Sequence, residues 1–266
     1  MGHIDWQETA ELFYNSLRLK TLPLAVQFSI EPERFPAKTR RPSVDLGKRV
    51  TICQAVTMAR VYGWTVGLTA ADLICVPAMI AFGFSGVPQP PQTMARLFRD
   101  VSFSRDQASA DQEVQNISFL ANGEARSVLL APLVKALFEP QTVVIHGNPA
   151  QIMRLIQAWT YVHGDKLASQ FGGKVECTEY LIAPYQKKLP RIVIPGMGDR
   201  IFSMTQDDEL VFAIGAEQMP ALVEGLKMAG KKIGARYPVT FYQNFQPEFP
   251  PAYGDLAKQM GIRFDD

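Results

Sequence analysis

The stretch Gln141–Trp159, QTVVIHGNPAQIMRLIQAW, sets a run of β-forming residues, Gln141–His146, directly against a helix signal. Asn148 supplies an N-cap side chain. Pro149 suits the first helical position, where a missing N–H breaks no bond, and apolar residues then recur at helical spacing until Gly164 ends the helix at His163. A strand that feeds a helix through a short turn is the building unit of a layered α/β chain.

The same alternation continues on both sides. Upstream, the pattern predicts an amphipathic helix over 6–18, a strand over Leu22–Ile30, a helix over Val50–Tyr62 stopped by Gly63, and a short strand over Thr65–Leu68. Thr69–Asp72 then caps a helical piece that carries Cys75, with Pro77 in its first turn. From Gly86 to Gly123 the chain is polar and Pro-rich. A helix is expected there over Gln92–Arg99, and the segment is expected to act as a lid or to face a partner.

Strands follow at Arg126–Ala131, Gly173–Glu176, Arg191–Pro195 and Leu210–Ile214, the last feeding a helix over Ala216–Ala229. The tail, with Pro238, Pro247, Pro250 and Pro251, reads as an extended wrap before a short helix near Tyr253–Met260. The fold class is α/β, with α+β as the alternative: a layered mixed sheet with flanking helices.

With 266 residues, 47% of them apolar and 20% charged, the chain can bury one large core, so residues 1–266 are expected to form a single domain. A division into sub-lobes 1–123 and 124–266 is suggested by a weak internal echo. Val61-Tyr62-Gly63 precedes Cys75 by twelve residues, and Val162-His163-Gly164 precedes Cys177 by thirteen. If the halves are related, Cys75 and Cys177 approach each other at their junction.

Lys plus Arg total 27 and Asp plus Glu 26, so the basic excess needed to neutralise phosphates is absent and nucleic acid is excluded as a partner class. The first residues, MGHIDWQETAELFYNSL, place acids where a signal peptide needs a basic start, and the longest apolar run, Leu73–Phe84, is broken by Pro77 and Gly83. A cytoplasmic protein without a membrane span is expected. In that setting three cysteines are expected to remain reduced, available for packing, metal or chemistry.

Cys53, Cys75 and Cys177 lie 22 and 102 residues apart, without the close pairs of a zinc or iron–sulfur motif. Cys53 and Cys75 nevertheless fall near expected helix starts, where free N–H groups favour thiolate, the form that attacks carbon or binds metal. The competing reading is that free cysteines are small hydrophobes of the core. His146 follows a strand and precedes the Gly147-Asn148-Pro149 turn, where open sheets place ligand-contacting groups. Pro195-Gly196-Met197-Gly198-Asp199-Arg200 is a second glycine-bearing turn after a strand, offering a carboxylate and a guanidinium to a small carboxylate or acyl ligand. His146, Asn148, Asp199 and Arg200 are therefore the candidate ligand-binding set. A Ser–His–Asp order, a nucleophile elbow and a His–Glu zinc helix are absent.

KTLPLAVQF at Lys20–Phe28, the helix-opening Cys53, ADLIC at Ala71–Cys75, APLVKALFEPQTVVIHGNPAQIMRLIQAW at Ala131–Trp159, Cys177 and Asp208–Ile214 together resemble the family called domain of unknown function 169. The resemblance runs from about Leu17 to Leu226. It implies a bacterial or archaeal cytosolic protein and carries no activity. It also implies a further cysteine in the turn corresponding to Ile194–Gly198, where this chain has Pro195, Gly196 and Met197. Four family cysteines would suit an iron–sulfur cluster or transition-metal site. Three leave one open position, with Met197 as a further sulfur.

Three functional readings follow. The first is a metal- or cofactor-binding protein using Cys53, Cys75 and Cys177. The second is a metal-free enzyme or binding protein for a small-molecule ligand. The third is an assembly subunit that binds partners through Val87–Gln92. Reaction, substrate and oligomeric state stay open, with a homo-oligomer compatible with each reading.

Overall fold

The computed structural model describes residues 4–31, 34–239 and 250–262. His3 and the part of the expected tail wrap at 240–249, including Pro247, lie outside the described residues.

Among the described residues six strands form one sheet: β1 Leu24–Ser29, β2 Val66–Thr69, β3 Ser127–Pro132, β4 Thr142–Gly147, β5 Arg191–Val193 and β6 Leu210–Gly215. Their order is β2-β3-β1-β4-β6-β5, and every neighbouring pair is antiparallel. The expected helical and strand layers are present. The layered sheet with flanking helices takes the α+β form, its ladders being antiparallel throughout.

The reason is insertion. β5 runs in the same direction as β4, as a strand–helix–strand passage produces, but β6 turns back between them. Likewise β1 lies between β3 and β4 and opposes both. Strands from residues 1–123 and 124–266 thus interleave, and a cut at residue 123 passes through the sheet.

Among the described residues the helices around the sheet are α1 Trp6–Leu17, α2 Pro42–Asp45, α3 Ile52–Arg60, α4 Val76–Ala81, α5 Pro90–Asp100, α6 Gln107–Val114, α7 Pro149–His163, α8 Cys177–Leu181, α9 Ala183–Lys187, α10 Met197–Phe202, α11 Met219–Met228 and α12 Pro251–Gln259. Alternate strand residues divide between two faces. Val26, Val128, Leu130, Val144 and Val211 pack with α3, α4, α5, α6 and α8, whereas Ala25, Val143, Ile145, Phe212 and Ile214 pack with α1, α7 and α11. Both faces are therefore covered, and each fully buried Leu, Ile or Phe contributes about 1.5–3 kcal/mol. The helices that carry the internal echo, α3 and α7, lie on opposite faces.

α7 begins as its sequence predicts. Asn148 and Gln151 form a reciprocal capping box, and the Gln151 amide also donates to the Leu17 and Arg18 carbonyls, tying the start of α7 to the end of α1. On its other side α7 meets α11 backbone to backbone. A Cβ at Gly225 would lie 1.9 Å from the Ala158 carbonyl oxygen, so that position has room for glycine alone.

Two segments depart from expectation. Residues 86–123 hold α5 and α6, whose Met94, Ala95, Phe98, Ala110 and Val114 are buried in the core; the apolar spacing of this segment outweighs its polar composition. Residues 173–176 form a turn, not a strand. The Glu176 carboxylate accepts from the Gly172 and Lys174 N–H groups at 3.2 and 3.1 Å, consuming donors that a strand would have paired, and the chain enters α8 directly. Among the described residues no helix is long and apolar enough to cross a membrane.

Candidate functional site

Cys53, Cys75 and Cys177 line one cavity of about 410 Å³. Each sits at a helix start: Cys53 is the second residue of α3, Cys75 is the N-cap of α4, and Cys177 is the first residue of α8. Asp199, third in α10, completes the polar part of the wall, and Phe103, Val175, Met197 and Phe202 supply much of the apolar part.

Local contacts fix this arrangement. Thr57 in α3 donates to the Ser203 carbonyl just past α10, and the Ser203 hydroxyl donates to the Asp199 carbonyl at 2.6 Å. Gly198 packs against the Cys53 sulfur, where an added Cβ would stand 3.6 Å away. At Gly196 a Cβ would come within 2.9 Å of the Gly173 carbonyl oxygen, so glycine here lets the turn before α10 close upon the turn before α8.

Burial decides the electrostatics. It is the largest cause pushing each thiol upward, and Cys53 and Cys177 stand well above the ordinary thiol range. Asp199 adds to the shift of all three. The expectation that helix starts would favour thiolate is thereby corrected: a helix terminus contributes at most about 2 kcal/mol, roughly 1.5 pH units, whereas full burial shifts a group by up to about 3–5. These thiols hold their protons.

Asp199 is also raised by burial, although Tyr180, Cys53, the Gly196 N–H and Arg60 pull it back. Tyr180 donates to Asp199 Oδ1 at 2.7 Å and the Gly196 N–H to Oδ2 at 3.1 Å. Tyr180 itself is pushed well up, by burial first and then by Asp199 and the thiols. The thiols, Asp199 and Tyr180 are thus all raised by burial first, and Lys174 is the cation in the cavity wall. Glu176, at its edge, is raised by burial to about 7.

The second expected set is not brought together. His146 is buried in β4 with its ring 6.1 Å from the Tyr180 ring; burial, then Arg60, holds it well below the ordinary histidine value, so it is neutral. Asn148 caps α7 and donates to the Tyr237 hydroxyl at 2.9 Å. Arg200 turns outward to the Gln206 carbonyl and Asp207, while its neighbour Asp199 turns inward. Alternation along one short helix separates Asp199 from Arg200, and the turn out of β4 separates His146 from Asn148. Of these four, Asp199 alone lines the thiol cavity.

Tyr180 and Glu176 escaped the sequence reading. Glu176, Glu179 and Tyr180 do stand at helical i, i+3, i+4 spacing, a signal hidden by the β-forming residues around them. Among the described residues no group of three or more His, Cys, Asp or Glu side chains is arranged to hold a metal ion.

Fold and site together define an antiparallel α+β protein with a thiol-lined cavity between helix starts. The chain belongs to the DUF169 family, described as "Uncharacterised ArCR, COG2043", whose sequence pattern matches residues 13–225. It is similar, at 26% identity over 222 residues, to the "Uncharacterized protein MJ0308" of Methanocaldococcus jannaschii, covering 83% of this chain and 93% of that protein. No solved structure matches the chain.

Proposed function

We propose that this protein holds a thiophilic centre, a soft metal ion or a small iron–sulfur cluster, through Cys53, Cys75 and Cys177, with Asp199 beside them. One observation carries the reading: thiols 22 and 102 residues apart in sequence line a single cavity with a buried carboxyl. Thiols, carboxyl and the Tyr180 phenol are all acids, and each is shifted upward by burial first. A bound cation reverses that balance, because thiolates are the ligating form and metal binding releases their protons. The donor chemistry fits such a centre. Ligation requires the thiol side chains to turn toward a common point, since they are not so arranged at present.

The test is metal and acid-labile sulfide analysis, with an absorption spectrum, of protein purified without oxygen. About one centre per chain is expected, and Cys53→Ser or Cys177→Ser should lower occupancy roughly tenfold or more. Colourless, metal-free protein that also fails to take up added cobalt(II) or iron with sulfide ends the reading.

A second reading is favoured by the apolar wall of Phe103, Val175 and Phe202: a metal-free pocket for a small acyl ligand held by the Asp199 carboxyl, which burial raises. Under it, Asp199→Asn weakens ligand binding while the cysteine variants leave it intact.

A further inference from the structure

A second cavity, of about 430 Å³, lies on the far side of Glu176, which lines both chambers. Its wall carries three carboxyls, Glu113, Glu176 and Glu179, and one ammonium, Lys174, with Ile117 and Phe171 as the apolar surface. The single cation is already engaged: Lys174 Nζ lies 2.8 Å from Glu113 Oε2 and donates to the Phe103 carbonyl at 2.6 Å.

Glu176 is 3% exposed. Its Oε1 accepts from the Gly172 and Lys174 N–H groups, but its buried Oε2 has no hydrogen-bond partner among the described residues. Glu179 follows three residues later. Its Oε2 lies 4.0 Å from Arg191 Nε, and its Oε1 is likewise buried and unpartnered. A buried acceptor without a donor costs about 1–3 kcal/mol, more when charged, so two neighbouring ones in one cavity wall form a built receptor for a donor-bearing cation.

We infer that this second cavity binds a small organic cation, an alkylammonium whose N–H groups reach Glu176 Oε2 and Glu179 Oε1 while its chain lies against Ile117 and Phe171. An ammonium supplies three donors to acceptors that lack them, and the chamber has the size of a small-molecule site. A hard divalent ion fits less well, because part of the wall is apolar and no ligating group of three is present among the described residues. The inference goes beyond the thiol reading and does not depend on it.

The experiment is NMR titration of metal-free protein with n-butylammonium chloride, using 1-butanol as the uncharged control of equal chain length. Saturable shifts in the amides of Phe171–Lys174 are expected with the amine and not with the alcohol. Glu176→Gln should weaken binding roughly tenfold or more, and Glu179→Gln roughly threefold, the latter serving alone should the first variant not fold. Equal response to butanol, absence of saturable shifts, or undiminished binding in the glutamine variants overturns the inference.

Discussion

Asp72 and Asp199 are both buried aspartates held near a helix start, and they do opposite things. Asp72 receives the Ser43 N–H and hydroxyl on one oxygen, and the Arg41 guanidinium, the Thr69 N–H and the Thr69 hydroxyl on the other. Burial raises it, but these bonds outweigh burial, and Asp72 ends below the ordinary carboxylate range. Asp199 has a phenol, one backbone N–H and a thiol, and burial wins. A buried carboxylate with a full donor set and a cation stitches loops together. One left short of donors, beside a cavity, is available to something that is not part of the chain.

The largest test of this contrast is stability at pH 7. Asp72→Asn leaves Arg41 without its carboxylate partner and should cost about 3 kcal/mol in urea denaturation, whereas Asp199→Asn, at a carboxyl whose charge burial already disfavours, should stay within about 1 kcal/mol. Equal losses would erase the distinction.

Next in size is the pH profile. A carboxyl lowered by folding stabilises above its unfolded value and loses that contribution as pH falls through the folded one, so Asp72 acts below about pH 4. A carboxyl raised by folding behaves inversely. Glu176, shifted from 4.5 to about 7, contributes fully below 4.5 and loses that contribution as pH rises to about 7. Chemical denaturation across this window should show wild-type stability falling with pH, and Glu176→Gln should flatten the slope. A flat wild-type profile would contradict the burial argument.

The smallest effect is expected at His146, whose buried Nδ1 is unpartnered among the described residues. His146→Phe removes that polar atom while keeping a ring against Tyr180, and calorimetry should find stability within about 1 kcal/mol of wild type. A large loss would mean that the imidazole is used.

What the sequence disclosed was local. Asn148 and Pro149 announced α7, while the Thr51–Gln54 box that caps α3 and holds Cys53 in its first turn went unread. Although Thr69 and Asp72 cap a short 3-10 turn ahead of α4, which begins at Cys75 without a side-chain cap, the helix-start placement of Cys53 and Cys75 was legible. Strand order was not, since the insertion of β1 between β3 and β4, and of β6 between β4 and β5, depends on contacts across more than a hundred residues or against chain direction. Asp199 was noticed for the wrong face. Its pairing with Arg200 as a ligand clamp assumed an open turn, whereas α10 sends one side chain in and the other out. Tyr180 and Glu176 were missed because Glu176 itself converts an apparent strand into a turn by capturing backbone donors.

The interleaved sheet also orders events during synthesis. Among the described strands β2 pairs with β3, and β1 pairs with β3 and β4, so neither early strand finds a partner strand until residues 127–147 have left the ribosome. During that interval Cys53 and Cys75 have been translated without their chamber, and the nascent chain presents two thiols to its surroundings before Cys177 and the α10 residues that complete the cavity wall arrive.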